Sequence, residues 1–197
     1  MEWKSLEPSE EVLSWEKIKN LIASGNLPQL RRNKASTTKY HQFKDELKKQ
    51  KLSVSEHVMK KLGWDMEELI ELNTVKYKDT NSKIEHAFSQ DKLFQVTEND
   101  FPYNFDKHVV HLLVWSKIKL PLYEDESLNL KNPAMNDKIN EFLARSLQMD
   151  KCKYDWFLNY TALQSIENVS HIHLLIYYDD LKDFDLEKVQ AGFAIRK

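Results

Sequence analysis

Two runs constrain this chain more than any other feature: His108-Val-Val-His-Leu-Leu-Val-Trp115 and His171-Ile-His-Leu-Leu-Ile-Tyr-Tyr178. Both are short, β-branched and aromatic, without Gly or Pro, and read as buried strands. Successive side chains of a strand point to opposite faces. His111, Leu113, Trp115 and Lys117 therefore share one face, opposite Val110, Leu112 and Val114. In the second run His171, His173, Leu175 and Tyr177 share a face, opposite Ile172, Leu174 and Ile176. If the two strands are neighbours, the aliphatic faces meet the main core and His111 approaches His171 and His173.

The first third is patterned differently. Val12, Trp15, Ile18, Leu21 and Ile22 recur at helical spacing after Ser9, and Gly25-Asn26 ends that helix. Tyr40, Phe43 and Leu47 form a second stripe. Ser53-Val-Ser-Glu56 has the spacing of a capping box, and Gly63 stops the helix it opens. Trp64-Asp65 begins a fourth short piece, through Leu72. Asn73 to Asp91 is polar and weakly patterned and reads as a loop. Further on, Leu93–Val96 suits a strand, Asn136 to Leu147 an amphipathic helix and Tyr154–Leu158 another strand.

The fold expected is α+β: a helical N-terminal region packed on a small, mainly antiparallel sheet with one or more further helices. Residues 1–197 form a single domain, with 1–75 helical, 76–92 a polar loop and 93–197 the core that holds the histidine strands. The 29 basic and 31 acidic side chains give a formal net charge of -2, which argues against a general nucleic-acid binder. Nine Phe, eight Tyr and five Trp argue against disorder. A single cysteine, Cys152, fits a reducing compartment. No apolar run approaches the ~20 residues of a membrane span. A cytoplasmic location, with the nucleus also open, is the expectation.

A lone histidine is most often a satisfied, partly buried residue. Two on one face of one strand favour a site more strongly. Imidazoles can ligate a metal, move protons near neutral pH, or attack phosphorus. The metal reading lacks support: no Cys–x–x–Cys or helical His–x–x–x–His is present, and a further ligand would have to be Asp100 or Glu167. No metal or cofactor is expected. The segments beside the strands supply polar candidates: Asn99-Asp-Phe-Pro-Tyr103 before the first, and Asn159-Tyr-Thr-Ala-Leu-Gln-Ser165 before the last. Asn99 or Asp100 also suits a simple Asx turn before Pro102.

Three stretches resemble the fungal family that includes the N-acetylglucosamine-induced protein, a domain family of unknown function. They are Leu30-Arg-Arg-Asn with Tyr40 and Leu62-Gly-Trp64; Asn99–Tyr103 with His111–Lys117; and Trp156–Asn159 with Leu163–Ile166 and His171-Ile-His173. The likeness runs from about Ser14 to Tyr178. It departs at Phe101 and Tyr160, where tryptophan is expected, and at Asn104, where glycine is expected; asparagine tolerates the positive φ such a turn would need. The resemblance implies an intracellular protein linked to amino-sugar response, and no reaction.

The order His111…Lys117, helix, Asn159…Gln164-Ser165, His171-Ile-His173 also resembles the histidine-triad superfamily of nucleotide hydrolases and transferases. That likeness would make His173 the nucleophile toward a phosphate. Leu175 stands at the third triad position, and extra residues separate Gln164-Ser165 from the histidines. The functional expectation is binding, hydrolysis or transfer of a phosphorylated small molecule, a nucleotide or sugar nucleotide. His173 and His171 would be catalytic, with Asp100, Tyr103, His111, Lys117, Asn159, Gln164 and Ser165 as ligand-binding residues. The alternative is a non-catalytic regulatory or scaffold protein using Arg31-Arg32 and the Lys48-Lys49…Lys51 run against protein or RNA.

Overall fold

The structure, a computed structural model, describes residues 7–125, 130–147, 153–164, 166 and 169–195. Its strands are β1 (Phe94–Glu98), β2 (Val109–Ser116), β3 (Tyr123–Asp125), β4 (Leu130–Lys131), β5 (Lys153–Phe157) and β6 (Ser170–Tyr177). Four of them form one antiparallel sheet in the order β1-β2-β6-β5, and β3 pairs with β4 in a small second sheet. The histidine runs are thus central neighbours. The helices are α1 (Trp15–Ala23), α2 (Lys34–Lys49), α3 (Val54–Leu62), α4 (Met66–Glu71), α5 (Thr80–His86), α6 (Pro133–Ser146) and α7 (Leu186–Gly192). No described helix is long and apolar enough to cross a membrane.

Each of these α-helices begins at a Ser, Asn or Asp whose side chain accepts a backbone N–H of the first turn: Ser14, Asn33, Ser53, Asp65, Asp79, Asn132 and Asp185. Such caps are worth about 1 kcal/mol each. The Ser53–Glu56 capping box is reciprocal, and Gly63 ends α3 at φ 66°, where a side chain would strain the backbone.

Three local expectations change. The first helix begins at Trp15 rather than after Ser9, because the preceding chain is held extended. Leu13 forms a parallel bridge with Phe105, and Asn104 Nδ2 donates to the carbonyls of Ser9 and Glu11. Asn104 has no positive φ; its value lies in those side-chain bonds. Residues 76–92 are not a plain loop, since α5 lies within them behind a π-helical stretch, Leu72–Lys76. None of the α5 residues is buried, so no apolar stripe announced it. Its anchors are the Asp79 cap, His86 stacked on Tyr77 at 4.5 Å, and the buried Ala87 and Phe88 that follow.

The pleat sorts the two faces as the sequence pattern requires. Leu112, Val114, Ile172, Leu174 and Ile176 pack against Met135, Ile139, Phe142 and Leu143 of α6 and Val189 of α7. On the other face, Leu175 joins Trp15, Ile18 and Ile22 of α1. Leu113 and Trp115 join Val58, Met59 and Leu62 of α3. The histidines lie on this second face, beneath the N-terminal helices.

Candidate ligand-binding site

The register of β2 against β6 sets the histidine geometry. His173 lies opposite Leu113, His171 opposite Trp115, and His111 opposite Leu175. His111 and His173 are therefore diagonal neighbours, a separation that long side chains bridge. His111 Nε2 stands 2.8 Å from His173 Nδ1. From the other side Phe157 of β5 stacks on His173, with centroids 4.5 Å apart and planes 1° from parallel. Trp115 covers His171 at 4.7 Å, and His171 Nδ1 meets the Val169 carbonyl at 3.2 Å.

Side-chain amides and a backbone N–H surround the ring nitrogens. Asn99 Oδ1 accepts the Phe101 N–H at 3.0 Å, as an Asx turn does, which directs Asn99 Nδ2 to His111 Nε2 at 3.2 Å. Asn159 Nδ2 donates to Tyr103 Oη and to His173 Nε2, each at 3.1 Å. One N–H···N hydrogen bond joins the two rings, and the Tyr103 N–H donates to His111 Nδ1 at 3.4 Å.

Burial keeps these rings neutral. His111 is pushed down to about 3, first by desolvation and then by the charge of Arg32 and by His171. His173 is held well below the usual histidine range by burial, with His111, His171 and Arg32 adding to it. His171 is lowered by burial, against the opposing bond to Val169.

Above the histidines is a cavity of about 110 Å³. His171, His173, Asn159, Tyr103 and Asp100 line it, and so do Arg32, Tyr40 and His57 from the N-terminal helical region. Arg32 Nε donates to the Phe101 carbonyl at 2.8 Å. Its guanidinium lies 4.5 Å from the Tyr40 ring centre and 5.3 Å from that of Tyr103. Among the described residues Arg32 has no carboxylate partner, whereas Asp100, the one acidic side chain in the wall, is paired with Lys61.

The remaining sequence candidates are arranged around this wall. His111 stands behind His173 and contributes through it. Gln164 braces the site indirectly, its Nε2 donating to the Asn159 carbonyl at 2.8 Å. Lys117 departs from expectation. It follows the end of β2, beyond Trp115, and pairs with Glu68 at 2.6 Å over the Trp64 ring rather than lining the cavity. Ser165 and Glu167 lie outside the described residues. Among the described residues no group of three or more His, Cys, Asp and Glu is arranged to hold a metal ion. In the sequence Arg32 reads as part of a charged surface and Tyr40 as part of a helical stripe. The only signal for either was their place in the Leu30-Arg-Arg-Asn…Tyr40 stretch of the family resemblance.

An α+β protein with a buried, mutually bonded histidine pair beneath a small cavity is the class defined here. The chain belongs to the family described as a protein of unknown function (DUF3605), whose model matches residues 14–177. It is 35% identical over 168 residues to the uncharacterized protein YPL067C of Saccharomyces cerevisiae, covering 83% of this chain and 78% of that one. It is 31% identical over 187 residues to N-acetylglucosamine-induced protein 1 of Candida albicans, covering 91% of this chain and 73% of that one. A solved structure titled "Crystal Structure of HTC1" matches with a TM-score of 0.65 and 33% identity over 91% of this chain and 92% of that one.

Proposed function

We propose that the cavity binds a phosphorylated small molecule, and that His173 acts on the phosphoryl group as proton acceptor or nucleophile. The observation that carries this reading is Arg32, a cation without a carboxylate partner among the described residues, in a wall whose other polar groups are amides, imidazoles and a neutralised carboxylate. An anion entering the cavity would meet a positive charge and neutral donors.

The hydrogen-bond network suggests how His173 would be used. Asn159 Nδ2 caps the Nε2 lone pair at rest. A phosphoryl oxygen that takes over this amide hydrogen frees Nε2 either to take the proton of a water attacking phosphorus or to bond phosphorus itself. In both cases the ester P–O bond breaks and the ligand's oxygen leaves as an alcohol, taking a proton from solvent or from His173. His111, neutral and hydrogen-bonded to His173 Nδ1, would offset the charge that develops on His173. The ligand's own negative charge opposes Arg32 and raises the proton affinity of the ring. Leu175, at the third triad position, is fully buried among the α1 side chains, so the histidine-triad likeness supplies no third imidazole. The Candida relative is named for induction by N-acetylglucosamine, which makes phosphorylated sugars a natural class to test.

The scaffold alternative keeps the exposed Lys48-Lys49…Lys51 run, while the two arginines it also used have contacts within the chain. Arg31 is engaged with the Glu7 carbonyl and Gln29, and Arg32 with Phe101. Thermal unfolding of the wild-type protein and of His173→Ala, with a panel of phosphorylated sugars and nucleotides, tests the reading, alongside assay of released phosphate. Stabilisation of the wild type by a phosphorylated compound and its loss in His173→Ala is the expected result. An equal response in both proteins would overturn the role of His173, and no response to any phosphorylated compound would overturn the proposal.

A further inference from the structure

The proposed ligand has an organic part as well as a phosphate, and the cavity limits both. Its volume of about 110 Å³ falls well below the ~300–1,000 Å³ common for pockets that enclose drug-sized ligands. A nucleotide sugar exceeds that space several-fold, whereas a single-ring phosphomonoester needs only its phosphate and part of its ring inside, the rest lying at the cavity's open side. Only one cation in the wall lacks a carboxylate partner, which suits one phosphate group rather than a di- or triphosphate.

Tyr40 supplies the second observation. Its hydroxyl is buried and has no hydrogen-bond partner, and its residue lines the cavity. A buried, unmet hydroxyl costs on the order of 1–3 kcal/mol unless something binds it. Its ring is the one against which the Arg32 guanidinium packs. Arg32 precedes α2 and Tyr40 lies within it, so one short stretch of chain presents a fixed cation and an unmet hydroxyl side by side. Phe43 of α2 and Phe101, whose rings are 4.9 Å apart, add an apolar wall of the kind on which the face of a sugar ring packs.

We infer that Arg32 and Tyr40 form the phosphate clamp of this cavity, and that its ligand is a compact phosphomonoester of a single ring, such as a hexose phosphate, rather than a nucleotide or nucleotide sugar. This rests on the phosphorylated-ligand reading above and narrows it. The clamp and the histidines divide the work: the helical region holds the phosphate from one side, and His173 and Asn159 meet it from the sheet.

Isothermal titration with glucose 6-phosphate, glucose and UDP-glucose tests the inference, using wild-type protein, Arg32→Ala and Tyr40→Phe. The last change removes only the hydroxyl and leaves the ring that packs on Arg32. Glucose 6-phosphate is expected to bind the wild type. Its affinity should fall on the order of tenfold or more in each variant, the cost of one lost charge-assisted or buried hydrogen bond. Glucose should not bind. UDP-glucose binding more tightly than glucose 6-phosphate would overturn the size argument and leave the phosphorylated-ligand reading standing. Binding of glucose 6-phosphate with unchanged affinity in Tyr40→Phe would overturn the clamp. Binding of neither phosphorylated probe would remove both this inference and its foundation.

Discussion

On one side of β2 and β6, Leu112, Val114, Ile172, Leu174 and Ile176 are all 0% exposed and packed on α6 and α7. On the other side, His111, His171 and His173 remain 6%, 8% and 4% exposed, and a cavity lies above them. The same two strands thus build both. The aliphatic face is closed because branched side chains interdigitate to native density. The histidine face stays open because flat rings stack on one another while their nitrogens satisfy partners in a chain, Asn99 to His111 to His173 to Asn159 to Tyr103. Close packing is concentrated on the first face, and the proposed binding site lies on the second.

The sharpest way to break this division is to truncate both faces. Leu174→Ala should cost about 2–5 kcal/mol, as a buried leucine does when its cavity cannot collapse. His173→Ala should cost less, about 1–3 kcal/mol, chiefly from leaving His111 and Asn159 with unmet partners. Urea unfolding of the two variants measures the order; a greater loss for His173→Ala would show that the histidine face is structural first.

Acid should separate the faces next. The buried histidines have native proton affinities below those of the unfolded chain, so below about pH 6.5 the unfolded state takes up protons that the native state refuses. Stability should be full above that value and fall toward pH 3, where His111 itself titrates, by up to about 1.4 kcal/mol per pH unit for each histidine involved. Unfolding midpoints measured from pH 7 to pH 4 check this. His111→Gln should flatten the slope, and an unchanged slope would place the acid sensitivity elsewhere.

The smallest effect belongs to the rim. The Lys61–Asp100 pair is solvent-exposed, with its side chains 41% and 55% accessible. Lys61→Ala should therefore change stability by less than about 1 kcal/mol. It should still weaken binding of an anionic probe, because it leaves Asp100 unneutralised in the cavity wall. Calorimetric titration of that variant with glucose 6-phosphate reads the second effect separately from the first.

Much of this could be read along the chain. The capping box at Ser53, the stop at Gly63, the period-2 faces of both histidine runs and the apolar stripe of α6 are local patterns, and each survives in the structure. His171, His173, Asn159, Tyr103 and Asp100 line one cavity and lie on the last strand or in the segments beside the strands. What was not legible depended on register and docking. Lys117 shares the pattern of His111, yet the strand ends before it and Glu68 claims it. Helix α5 has no buried residue and therefore no periodicity to detect. Arg32 reads in the sequence as one more surface charge, and only its bond to the Phe101 carbonyl, far along the chain, turns it toward the cavity.

The sequence alone determined the two histidine strands, the capped helices of the first third, the stripe of α6 and which side of each histidine strand is aliphatic, because these follow from repeats of two and of 3.6 residues that a local window reveals. Tertiary structure alone decided that His111 meets His173 rather than His171, that the N-terminal helices roof the histidine face, and that Arg32 and Tyr40 face the imidazoles. Those outcomes depend on strand register and on packing between segments far apart in the chain, which no local spacing encodes.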